Sequence, residues 1–193
     1  MRESAVLVIV ISLAILGLIL AFNPELAVTF LVILVPSFVG ITIFRKYSSE
    51  KSFITKLFLG ALVLRLLTGI FIHVFDLRGF FGSDSLFYDR NGAILVDLWL
   101  GKVTENASDI VRATSVSIPG WGMNYFVGGL YFVIGRNILA AQSLCAVFGA
   151  ATAPLVYFCA DKIYGNRRVS RISSIAVAVF PALVIWSSQL LKD

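Results

Sequence analysis

Five predominantly apolar runs, residues 5–22, 26–44, 53–75, 138–160 and 169–188, dictate what this chain can fold into. About 17–25 such residues in a helix cross the hydrocarbon core of a bilayer, and a helix satisfies every backbone amide internally there. Composition excludes the water-soluble alternative. The chain is 59% hydrophobic and 14% charged, against about 25% charged in a soluble domain. The expected fold class is all-α: a polytopic integral membrane protein with about five transmembrane helices and a long outer loop containing interfacial helices. No small-x-small cleavage site follows residues 5–22, and the second run begins just after Asn23-Pro24-Glu25, so the first is expected to be a span rather than a signal peptide.

The formal net charge of +5 implies no nucleic-acid partner, because Lys and Arg of such proteins gather in cytoplasmic loops. The same rule decides how 121–135 behaves, an apolar segment of 15 residues holding four glycines and Asn124. If it does not cross and the N-terminus is cytoplasmic, nine of the sixteen Lys and Arg lie inside, among them Arg45, Lys46, Lys51, Lys162, Arg167, Arg168 and Arg171. If it crosses, the basic cluster Lys162–Arg171 moves outside. The segment is therefore expected to be interfacial or re-entrant. Residues 1–52 then form a helical hairpin with a basic cytoplasmic loop, and 53–193 a membrane core whose loop 76–136 faces outward from the cell membrane.

That loop carries six of the eleven acidic residues: Asp76, Asp84, Asp89, Asp97, Glu105 and Asp109. Asp84, in Gly82-Ser83-Asp84-Ser85, is the candidate centre of any chemistry. Ser83 or Asp84 can cap a helix from about Ser85 to Leu100, which Gly101 ends. At 100° per residue Asp84, Tyr88 and Asn91 share one face of it. Asp89, Arg90 and Asp97 are expected on a solvated face. Residues 102–117 are polar without an apolar period and are expected to be a loop.

Arg65 sits mid-way along the third run, where a charge costs at least ~2.5–3.5 kcal/mol. It must face the bundle or a water-filled cavity, either to bind a lipid phosphate or to pair with a carboxylate or carbonyls. His73 is the single histidine, so a His-rich metal site is excluded. Cys145 and Cys159 lie on one predicted helix about 21 Å apart, beyond the ~7 Å reach of a disulfide.

One hydrophobic span leading into Gly82-Ser83-Asp84-Ser85-Leu86-Phe87-Tyr88, then Gly92-Ala93-x-Leu95, resembles the first outer loop of polytopic glycosyltransferases of the C-type fold. That group includes protein O-mannosyltransferases, the lipid A aminoarabinose transferase and oligosaccharyltransferase catalytic subunits. Further on, GWGMNYFVGGLYFVIGRN, YFCADKIYGNRRVSRISSIAVAVFPALVIWSS and QLLKD resemble that fold's second and third core spans, so the resemblance covers about 53–193. It implies sugar transfer from a polyprenyl-phosphate-linked donor to an acceptor that is a protein, lipid or glycan. Asp84 would be the base, or the ligand of a divalent metal if one is used. Asp193 would be a second acidic residue near the substrate, and Tyr88, Asn91, Arg65 and Arg112 would bind substrate. Arg78 and Lys192 are further cations able to stabilise a leaving phosphate. Relatives are far longer, so this chain is expected to be the N-terminal part of such an enzyme, inactive alone. The rival expectation is a non-enzyme: a transporter, flippase or assembly subunit for envelope lipids or polysaccharides. Transporters show matched interrupted helices and ionisable groups near the midplane; only Arg65 fits that pattern.

Overall fold

The computed structural model describes residues 23–81, 84–102 and 106–190, together with residue 17. The predicted span 5–22 lies almost wholly outside these residues. Among those described there are nine helices and no strand.

Helix α1 (Pro24–Tyr47) starts where local chemistry favours it. The Asn23 side chain accepts the Leu26 amide, Pro24 takes a position needing no N–H, and Glu25 occupies the first turn. Arg45 and Lys46 sit in the last turn, at the negative end of the helix dipole. Pro36 lies inside α1 without ending it. Helix α2 (Lys51–Val74) returns antiparallel after a short turn. Further along, α7 (Ile138–Tyr164) runs between Asn137, whose side chain accepts the Ala140 amide, and Gly165, whose φ of 58° supplies a left-handed stop. Helix α8 (Arg167–Val179) then meets α9 (Pro181–Ser187) at Phe180 with a bend of 54°. Pro181 breaks this run, as the sequence predicts.

Among the described residues three helices, α1, α2 and α7, are long and apolar enough to cross a membrane, or four if α8 and α9 form one broken span. Their contacts use small residues. Ala146, Ala150 and Ala153 of α7 pack in one cluster with Ile54, Phe58 and Leu62 of α2. Alanine there lets helix backbones approach closely, which is how helices associate where lipid removes the hydrophobic drive. The outward faces are apolar instead: Phe38, Val63, Leu67 and Phe148 are each more than half exposed. Extended apolar exteriors of this kind mark a surface meant for lipid or protein.

Two hydrogen-bonded clusters mark the ends of the bundle. At one, Glu50 accepts from Arg171 Nη2 at 2.5 Å and Nε at 3.0 Å, and from the Tyr157 hydroxyl at 2.9 Å. The Arg171 guanidinium holds the Glu50 carboxyl below its usual range. At the other, Asn137 Nδ2 donates to the Glu25 carbonyl at 2.8 Å. The basic turns Arg45–Lys51 and Lys162–Arg171 therefore share one end.

The opposite end carries α3 (Arg78–Phe81), α4 (Asp84–Trp99), α5 (Ala107–Thr114) and α6 (Trp121–Ile134). Helix α5 corrects the expectation of a loop over 102–117. Ala113 is fully buried with Ile94 and Leu95, and Ile110 packs beside them. Eight residues are too few for that apolar stripe to emerge as a period. Helix α6 spans about 21 Å, short of the ~30 Å of hydrocarbon. It buries Asn124, Val127, Gly128 and Tyr131 at helical spacing. The helices cross at glycines: a Cβ on Gly92 would meet Val127 Cγ1 at 2.6 Å, and one on Gly128 would meet Leu95 Cβ at 3.2 Å.

Candidate functional site

The crossing of α4 and α6 sorts the residues that the sequence placed on one face. Tyr88 and Asn91 turn into the interface, at 3% exposure each. The Tyr88 hydroxyl lies against Gly120, whose φ of 89° only glycine adopts readily. Burial, and after it the Asp84 carboxylate, pushes the Tyr88 phenol above its usual range. Asn91 Nδ2 donates to Asn124 Oδ1 at 3.4 Å. Asp84 is different. It is the first residue of α4 and is exposed, whereas its neighbour Ser85 is buried.

Asp89 corrects a second expectation. It is buried rather than solvated. Tyr131 Oη donates to its Oδ1 at 2.7 Å, while Arg136 reaches Oδ2 through Nη2 at 2.6 Å and Oδ1 through Nε at 3.3 Å. This bidentate bond raises the Arg136 guanidinium further above its already high pKa. A helical wheel drawn on α4 alone cannot show it, since both partners arrive from α6 and the turn after it. Arg90 is exposed as expected and pairs with Asp109 of α5 at 3.0 Å.

Arg65 resolves toward carbonyls. At 1% exposure it donates through Nε to Ser187 Oγ at 2.8 Å, and through Nη1 to the Ala61 and Ala178 carbonyls, both at 3.1 Å. Ala178 lies in the last turn of α8, where the break at Phe180 and Pro181 leaves carbonyls without their helical amides. Arg65 thus caps a broken helix. Gln142 plays the matching part after α9, donating from Nε2 to the Ser188 carbonyl at 2.6 Å and to the Gly69 carbonyl at 3.3 Å. The segment 187–190 joins both regions, because Leu190 packs in one cluster with Tyr88 and Tyr131.

The structure therefore brings Asp84 and Tyr88 together, sets Asn91 one turn on, and places Arg65 in a separate cluster. Arg112 is exposed on α5. Asp193 and Lys192 lie outside the described residues, as does the side chain of Arg78. Among the described residues no three His, Cys, Asp or Glu side chains converge on a metal-sized site. Sequence reasoning notes Asn124 only as a polar residue in a short apolar segment, and does not single out Gln142, Tyr131, Arg136 or Gln189. For the three amides a signal existed, each being a lone amide in or beside an apolar run where an unpaired polar group is costly. Scanned against family models, curated proteins and solved structures, the chain matches none.

Proposed function

We propose that this chain forms part of a membrane glycosyltransferase that moves a sugar from a polyprenyl-phosphate-linked donor to an acceptor hydroxyl, with Asp84 as the base. One observation carries this reading. Asp84 is the exposed carboxylate at the head of α4, whereas Asp89, one turn further, is held by Tyr131 and Arg136. As the acceptor oxygen attacks the anomeric carbon, its proton passes to an Asp84 oxygen. The bond from that carbon to the phosphate oxygen breaks, and the phosphate leaves with the electron pair. A positioned base is worth about 10²–10⁴-fold in such a step. Arg112, exposed on α5, is the cation proposed to meet the leaving phosphate. Arg65 serves the fold instead, through its three hydrogen bonds.

The test is donor dependence. Membranes containing the full-length protein should transfer labelled sugar from a polyprenyl-phosphate donor and not from the matching sugar nucleotide. Transfer from the nucleotide alone would overturn the reading.

The same proposal sets the orientation: cell membrane, N-terminus cytoplasmic, residues 76–136 outside. Its support is the sharing of one bundle end by the basic turns. Cysteines placed at Ser108 and Asn166 should react with an impermeant maleimide from opposite sides, Ser108 from outside. Reaction of both from one side would contradict it.

A further inference from the structure

The end of the bundle shared by the basic turns is strongly positive: residues 45–56 and 161–171 hold eight Lys and Arg against two acidic residues. Within it lies an open groove of about 630 Å³, lined by Lys51, Phe53 and Lys56 of α2, by Arg171 of α8 and by Glu50. We propose that this groove seats the phosphate of an anionic, two-chain phospholipid such as phosphatidylglycerol.

Three cations meet one carboxylate there, and that carboxylate is already bonded. Glu50 holds Arg171 through Nε and Nη2, and the guanidinium stands 5.2 Å from the Phe53 ring. Arg171 is thereby fixed in place, with Nη1 left to donate to another acceptor. Lys51 and Lys56 are exposed and make no ion pair with a described residue. The apolar surface beside these cations assigns the anion to a lipid. On α2, Leu59, Val63 and Leu67 follow Lys56 at steps of three and four residues and are exposed. On α8, Ile175 and Val179 follow Arg171 at steps of four and are exposed too. Residues so spaced share a helix face, so each cation heads an apolar stripe. The two helices pack against each other, and α2 is long enough to cross a membrane. A soluble phosphate would meet the cations and leave both stripes bare. A phospholipid covers both, its headgroup on the cations and one acyl chain on each stripe; basic pockets beside spans recognise lipid headgroups in this way. None of these residues belongs to α4, so occupancy of the groove does not depend on sugar transfer.

The site is tested on the full chain in phosphatidylcholine nanodiscs, doped with a phosphatidylglycerol that carries a diazirine in one acyl chain. Irradiation should label α2 around Leu59 and Val63 and α8 around Ile175. Unlabelled phosphatidylglycerol should compete about tenfold more strongly than phosphatidylcholine, and inorganic phosphate in solution should leave the labelling unchanged. Each cation at an anionic lipid surface is worth about fivefold in affinity, so Lys51→Gln combined with Lys56→Gln should cut labelling about tenfold or more. Both positions are exposed, so this variant keeps the fold. Lys162→Gln combined with Arg168→Gln removes the same charge from the same end but outside the groove, and at physiological salt should change labelling less than about twofold. Equal competition by phosphatidylcholine, displacement by inorganic phosphate, or equal loss in the two double variants would overturn the assignment.

Discussion

Gly120→Val should destabilise the protein by about 2–5 kcal/mol, while Gly122→Ala, two residues on, should leave it unharmed or raise stability by up to ~1 kcal/mol. Gly120 holds φ at 89°, and in this region an L side chain pushes its Cβ toward the backbone at a cost of about 1–2 kcal/mol, more for a β-branched residue. The added Cβ also runs into the Tyr88 hydroxyl and ring, an overpacking worth about 1–3 kcal/mol. Tyr88 cannot yield easily, since Phe87 meets it edge-on at 5.6 Å and Leu190 packs in the same cluster. A Cβ on Gly122 meets nothing within 4 Å, and alanine is the better helix former. Denaturant unfolding in one detergent, with both variants side by side, reads the difference. Equal loss from the two would mean that the α4–α6 crossing is not anchored at Tyr88 and Gly120.

Some of this architecture is legible in the residues and some is not. Helices α1, α2 and α7 follow from apolar length alone, and the ends of α4 fall within one residue of those expected from the capping residues near Ser83 and the stop at Gly101. Pro181 announces its own break. By contrast α5 is hidden, because eight residues hold barely two turns of an apolar stripe. Asp89 was misplaced because its partners, Tyr131 and Arg136, lie 42 and 47 residues further along the chain. Helical periodicity says which residues share a face but not what covers that face. The depth of Arg65 was readable; its partners were not, since a backbone carbonyl has no signature in sequence and becomes available only where α8 breaks. The lone amides Asn124, Gln142 and Gln189 were visible all along as polar exceptions among apolar neighbours. The meaning of Gln142 depended on the segment after α9 folding back against α7, and that of Asn124 on Asn91 across the α4–α6 crossing.

The most direct measurement is sugar transfer by the full-length protein carrying Asp84→Asn. The amide keeps the size and a capping oxygen of the carboxylate, and the position is exposed with no packing to lose. Folding and membrane insertion should therefore match the wild type. An amide cannot take the acceptor's proton at neutral pH, so the rate of transfer from the polyprenyl-phosphate donor should fall at least 100-fold, about 2.7 kcal/mol of transition-state stabilisation. Transfer at a near-wild-type rate by Asp84→Asn would contradict the role assigned to this carboxylate.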